Sequence, residues 1–299
     1  IKNIKPDFYC KGPDYAKSKN DRRLNDEIIA VKNFKGKFVT VKHNKKSSTE
    51  IIKKKKLDLL DKFKIDDDYV NIIKKKYGFN FIIQKLNKLK ELKVFVTGDL
   101  IIDRYIFVDV VGKSGKDSFL VLKKKNDIKF LGGSAYIANI CAEFVDKLTY
   151  TSFVGEKNSQ INFIQKNLNN KINYKLLKKE KSNTFVKLRY VDHYKNNKII
   201  GAYDINDDPI CDNIEKKYIL NIRNNLKKND LIILADYGHG IITNLINKEL
   251  QKHHQKLYLN IQVNAFNKGL NTILKYKKIN SIIINENEIR NELRDNNSP

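Results

Sequence analysis

The chain has 299 residues, and 59 Lys and Arg against 34 Asp and Glu leave a formal net charge of +25. Only seven of the basic residues are Arg, and planar guanidinium forks are the usual readers of phosphates and base edges, so the charge points to weak, salt-sensitive binding and to no specific nucleic-acid partner. Hydrophobic residues make up 41%, with 15 Phe and 15 Tyr, which is enough for a core and excludes global disorder; no apolar run approaches ~18 residues, so no membrane-spanning helix is expected.

Residues 1–57 read as a short α/β piece. Phe38-Val39-Thr40-Val41 is a strand candidate, and Ser47-Ser48-Thr49-Glu50 has the look of a helix N-cap feeding Ile51-Ile52. Lys53 to Lys56 is the densest basic run and suits a solvated face. Residues 58–91, with Leu57 just before them, carry Leu59, Leu60, Phe63 and then Ile82, Ile83, Leu86, Leu89 at helical spacing, which predicts a helical linker broken near Tyr77-Gly78-Phe79.

From residue 93 the pattern changes. Lys93 to Thr97 is a short apolar strand running into Gly98-Asp99. Leu131-Gly132-Gly133 then opens a helix from Ser134 to about Val145. Leu231 to Asp236, Lys256 to Ile261 and Ser281 to Asn285 are further apolar strands with polar ends, separated by helical stretches. That rhythm predicts a parallel sheet covered on both faces, with ligands beyond the strand C-termini. Segments 108–129 and 184–204 alternate and suggest a smaller antiparallel lid.

The candidate chemistry sits at these strand ends. In Gly98-Asp99-Leu100-Ile101-Ile102-Asp103, a carboxylate at a strand end either accepts hydrogen bonds from sugar hydroxyls or caps a turn; spacing alone leaves both open. Gly132-Gly133 before a helix admits close approach of a ligand to free N–H groups, or is simply a turn. Asp236-Tyr237-Gly238-His239-Gly240 is a tight loop over a ligand or a structural turn. Asn285 and Glu288 either support the water shell of Mg²⁺ or start a surface helix. Gly112 to Asp117 lacks P-loop spacing. Cys10, Cys141 and Cys211 form no metal or disulfide pattern, which predicts a reducing, cytoplasmic setting. His253-His254 point to different sides of any element, and no zinc site is expected.

Taken together and in order, Gly98-Asp99…Asp103-Arg104-Tyr105, Leu131-Gly132-Gly133-Ser134-Ala135, Thr184 to Arg189, Asp236 to Gly240 and Asn285-x-x-Glu288 resemble the PfkB (ribokinase-like) carbohydrate kinases. Lys5 to Tyr15 and Ser47 to Ile52 are similar to the end of a cytidylyltransferase-like domain, and the pair resembles the bifunctional heptose-7-phosphate kinase/heptose-1-phosphate adenylyltransferase group. The resemblance implies an α/β ribokinase-like parallel-sheet sandwich with a small β lid at 92–299, a helical linker at 58–91, and the C-terminal part of a Rossmann-like nucleotidyltransferase domain at 1–57. It implies a sugar or sugar-phosphate substrate held by Asp99, Asp103, Gly132, Gly133, Asn139, Lys187, Arg189 and Asp236. Lys187 and Arg189 would suit a phosphate already on the sugar. Asn285 and Glu288 would support ATP and Mg²⁺, and Lys11, Ser47, Ser48 and Thr49 would lie near nucleotide phosphates. A homodimer through the lid and the absence of a membrane partner belong to the same expectation. The chain contains no Met, starts at Ile1 and closes on a turn-like string at Pro299, so it reads as a fragment cut at both ends. The family's GAGD motif with its catalytic Asp is expected beyond Pro299, and HxGH before Ile1. Three departures are visible: Tyr136 stands where heptose kinases commonly carry Asn, Asn260 to Asn264 replace Asp-Pro-Lys, and His239 replaces a common Lys. They suggest a sister subfamily acting on another phosphorylated sugar; the alternatives are a catalytically inactive PfkB-like scaffold or regulatory protein and a basic nucleic-acid-binding protein.

Overall fold

A computed structural model describes residues 4–12, 21–40, 67–263 and 271–295. The chain forms two compact units, residues 1–78 and 79–299. The division falls at Gly78, inside the stretch read as a linker, where the backbone turns left-handed.

In the first unit, β1 (Phe8–Lys11) and β2 (Lys37–Thr40) pair in parallel, with α1 (Arg22–Asn33) between them in sequence. Asp21 starts α1 because its carboxylate accepts from the backbone N–H groups of Arg23 and Leu24. Leu24 and Val31 are the buried face of the helix. α2 (Asp67–Tyr77) completes the described part. Val41 and the Ser47-Ser48-Thr49-Glu50 cap lie outside the described residues.

The second unit starts with α3 (Phe79–Leu89) and is organised by β3 (Lys93–Gly98), the first strand of a six-stranded parallel sheet. From β3 the chain adds β6 (Lys147–Lys157) and β7 (Ile172–Asn183) on one side. It later adds β10 (Leu231–Asp236), β11 (Leu257–Ile261) and β12 (Ser281–Ile283) on the other. Alternation within β3 explains the layering. Val94 and Val96 pack with α4 (Gly133–Ala142) and α5 (Ile161–Asn167). Phe95 packs on the opposite face with α6 (Asp212–Leu226) and α7 (Asn244–Gln251). Fully burying one such side chain contributes about 1.5–3 kcal/mol, so both faces hold the sheet. The last helix is α8 (Glu286–Leu293).

The α/β architecture agrees with the sequence reading, and β10 has the bounds expected from Leu231 to Asp236. Three details differ. Asp103 lies within β4 (Leu100–Lys113), since Leu100 to Ile102 continue as strand after a one-residue break. The smaller sheet is mixed rather than antiparallel: β4 pairs antiparallel with β5 (Leu120–Gly132) but parallel with β8 (Val186–Asp192), which then pairs antiparallel with β9 (Lys198–Asp204). The β12 residues are exposed rather than covered on both faces, because β12 is the sheet's edge.

Candidate active site

β3 is where the sheet order reverses, between a branch running to β7 and a branch running to β12. Parallel sheets of this kind place ligands outside the carboxyl ends of their strands at that reversal. Ala235 pairs with Gly98, so the ends of β3 and β10 lie side by side there.

Asp99 follows β3 and is 1% exposed. Its N–H donates to Ala235 O at 2.9 Å and its carbonyl accepts from Ser134 N at 2.8 Å. Its Oδ2 accepts from Tyr237 N at 2.7 Å, while Oδ1 has no partner. Burial pushes its carboxyl upward, against the lowering effect of the nearby His239. Buried hydroxyls brace the same corner. Ser134 and Ser152 both donate to Gly98 O, at 3.1 and 2.6 Å, and Ser134 also bonds the Tyr150 hydroxyl at 2.8 Å.

Beside this corner lies a cleft of about 670 Å³ whose walls include Asp103, Tyr105, Gly132, Gly133, Tyr136 and Asn139. The smaller sheet and the start of α4 form it together. Asp103 and Phe130 are register partners, and Gly132 follows two residues on. A Cβ on Gly132 would stand 2.3 Å from Asp103 Oδ2, so the glycine leaves room for the carboxylate. Asp103 Oδ1 accepts from Arg189 Nη1 at 2.5 Å, and the side chains are 26% and 15% exposed. The guanidinium carbon stands 5.4 Å from the Tyr105 ring centre and 5.7 Å from that of Tyr203. Such a half-buried, charge-assisted pair fixes the Asp103 carboxylate in place.

Lys187 pairs in register with Asp103 across β4 and β8. It is 6% exposed, and its Nζ lies 5.4 Å from the Phe185 ring centre. Burial pulls its ammonium downward, with Asp103 acting in the opposite direction. A desolvated cation with a ring and a carboxylate as neighbours is suited to an incoming anion.

The remaining sequence-derived residues fall elsewhere on the same edge or away from it. Asp236 is 1% exposed, and its carboxylate accepts from Gly238 N at 3.1 Å, Tyr276 hydroxyl at 2.5 Å and Lys275 Nζ at 2.5 Å. Its oxygens hold the loop after β10. Asn139 borders the cleft, but its amide spans Asn167 O and Asn169 N. Asn285 caps α8 by accepting from Asn287 N at 2.9 Å. Glu288 is half-buried and acts electrostatically on Tyr237. Tyr237 in turn connects Asp99, through its N–H, with Asn260, through its hydroxyl at 2.5 Å. Asp99, Asp236 and Glu288 therefore belong to one edge. In the first unit, Lys11 pairs with Glu27 at 2.6 Å. Ser47, Ser48 and Thr49 lie outside the described residues. No group of three or more metal-ligating side chains occurs among the described residues, and no helix there is long and apolar enough to cross a membrane.

Phe130 was not among the sequence-derived residues, and Tyr105 and Phe185 entered only as parts of longer motifs; the pairing of β4 with β5 sets Phe130 opposite Asp103, and Phe185 O accepts from Ile102 N at 2.9 Å. The alternation within 184–204 was a signal for Phe185 alone.

The bifunctional protein HldE of Aliarcobacter butzleri is 27% identical to the chain over 221 residues, which is 69% of this chain and 45% of that protein. Over that stretch the chain is similar to the HldE proteins. The Helicobacter pylori HPAG1 form is also 27% identical, over 171 residues, covering 56% of this chain and 36% of that protein. The chain thus spans less than half the length of these HldE relatives. Among solved structures, ribokinase from Giardia lamblia matches with a TM-score of 0.49 at 12% identity, over 67% of this chain and 59% of that one. A carbohydrate kinase from Agrobacterium tumefaciens matches with a TM-score of 0.48 at 12% identity, over 67% and 63%. No family model matches the chain.

Proposed function

We propose that the chain carries the sugar-binding region of an ATP-dependent carbohydrate kinase, within a bifunctional protein that converts a phosphorylated heptose into an activated nucleotide sugar. The observation that carries this reading is the meeting of Asp103, Gly132 and Gly133 in one cleft at the reversal point of the sheet, in a relative of bifunctional HldE proteins. Asp103 accepts from sugar hydroxyls while Arg189 holds it in place. Lys187 and Arg189 supply charge for a phosphate already on the sugar. Transfer of the γ-phosphoryl group from ATP then rests on positioning and electrostatics.

Glu288 offers the hard oxygen that Mg²⁺ prefers, through a retained water shell, and Mg²⁺ when bound with ATP neutralises phosphate charge. Asn285 contributes by starting α8, since its side-chain oxygen is engaged there. In the first unit, Lys11 and the 47–49 segment would serve the nucleotidyl-transfer half. A cytoplasmic setting, dimerisation through the smaller sheet, and a role without nucleic acid or membrane complete the proposal.

The test is sugar-dependent ADP release by the protein carrying this chain, together with calorimetric titration using heptose 7-phosphate, unphosphorylated heptose and ribose. Binding and turnover with a sugar or sugar phosphate, both lost in Asp103→Ala, are expected. Failure of every sugar to bind would overturn the reading.

A further inference from the structure

His239 lies in the loop after β10, is 4% exposed, and is absent from the walls of the sugar cleft. Its surroundings are unusual. Nδ1 bonds Asp207 Oδ1 at 2.8 Å, and the ring stacks on Phe185 at 3.9 Å between centres with planes 30° apart. The same Phe185 ring carries Lys187 Nζ at 5.4 Å. A chain of contacts thus runs Asp207, His239, Phe185, Lys187.

These residues sit where the backbone passes between the two sheets. Phe185 lies between β7 and β8, and Asp207 lies just after β9, on the way back to α6. Asp99, between β3 and β4, borders the same crevice of about 30 Å³ as His239, Phe185 and Asn206. One ring therefore touches two of the crossings and faces the third. Lys179 of β7 adds a fixed floor, donating from Nζ to Asn206 O at 2.6 Å and to His239 O at 3.1 Å.

The crevice also holds two buried polar atoms with no partner, His239 Nε2 and Asp99 Oδ1. An unpaired buried polar atom forfeits its hydration without gaining a partner. The ring therefore carries this cost at Nε2 alongside its bond to Asp207 at Nδ1. Its cost points to a role in placing what it touches.

We propose that His239 is a positioning residue: oriented by Asp207 and stacked on Phe185, it sets where β8 presents Lys187 to an anionic ligand. The proposal rests on the sugar-phosphate reading for its ligand, but the placement of β8 can be measured without one.

The experiment compares amide hydrogen exchange in β8 and β9 with exchange in β3, β6 and β10, for wild type, His239→Ala, His239→Phe, Asp207→Ala and the His239→Ala/Asp207→Ala double variant. His239→Ala and Asp207→Ala are expected to raise exchange in β8 and β9 by about tenfold, leaving the large sheet unchanged. His239→Phe, which keeps a ring on Phe185, is expected to restore most of the protection. The double variant should be no looser than His239→Ala, because both act through one contact. Titration with heptose 7-phosphate should show weaker binding in the loosened variants and an unchanged affinity for unphosphorylated heptose. Uniform loosening of both sheets, full additivity in the double variant, or unchanged exchange in β8 overturns the proposal. If His239→Ala does not fold, Asp207→Ala decides alone: selective loosening supports the proposal and no change overturns it. If no sugar phosphate binds wild type, the function reading fails while the exchange result still judges the placement of β8.

Discussion

Two adjacent glycines at the mouth of the cleft do different work. Gly132 faces the Asp103 carboxylate, whereas Gly133 has φ +57 and would place a Cβ 2.3 Å from the carbonyl oxygen of Asp99. The first obstacle is a side-chain end that can move; the second is backbone. Gly132→Ala is therefore expected to leave the melting temperature within a few degrees of wild type and weaken sugar binding, because Asp103 must turn aside. Gly133→Ala is expected to lose at least about 2 kcal/mol in urea unfolding, since left-handed backbone alone costs an L-residue about 1–2 kcal/mol. Asp103→Asn keeps the shape but removes the charge that Arg189 meets. Charge-assisted hydrogen bonds contribute about 1.5–3 kcal/mol, so sugar affinity should drop about ten- to a hundredfold by calorimetry. The diglycine and the two aspartates were readable in the sequence because special backbone and carboxylates at strand ends are rare enough to notice. What was not readable is how their neighbours meet: Tyr105 and Arg189 are 84 positions apart, and only the register of β4 against β8 unites them.

At the scale of elements, apolar continuity decided what could be read. β10 and β11 are runs of Leu and Ile and are recognisable without a structure. β6 hides its nature, because Tyr150, Thr151 and Ser152 are buried despite their hydroxyls. Those hydroxyls find partners in the interior, as Ser152 does on Gly98 O and Thr151 on Asn221, so polarity there does not signal a loop. β7 hides behind Lys175, Lys178 and Lys181, which an edge strand can leave in solvent. Between α6 and α7, Arg223 grips Glu249 through two hydrogen bonds of 3.0 Å, and Lys252 adds a third contact at 2.8 Å. The Arg223 bonds, with help from Lys252, pull the Glu249 carboxyl from 4.5 down to about 2. A carboxylate held below its unfolded value stabilises the fold above that value and loses the contribution as pH falls towards about 2. Wild type should therefore lose thermal stability between pH 4.5 and 2 more steeply than Glu249→Gln, with the two curves converging at the acid end. Parallel curves across that range would remove Glu249 from the account.

Across the whole molecule, the excess positive charge is spread over many Lys rather than gathered into a site. Of the basic side chains, Arg104, Arg189, Arg223 and Arg290 all meet carboxylates. A chain built this way should retain duplex DNA weakly in a mobility-shift assay at about 50 mM salt and release it by about 200 mM, because displaced counterions drive such binding. Retention at the higher salt with sequence preference would argue for a nucleic-acid role instead.

The central position of β3 also has a bearing on how the protein is made. It is synthesised before its partners on either side, and one flank is completed only when β10 emerges, more than 130 residues later. Until then Val94, Phe95, Val96 and Thr97 present an unsatisfied backbone ladder on that flank, the kind of border that recruits other chains. Shortened products ending before Leu231 are therefore expected to pellet on centrifugation, whereas products that include β10 and β11 should stay in the supernatant. The strand that organises the finished sheet is, during its own synthesis, the place where aggregation would begin.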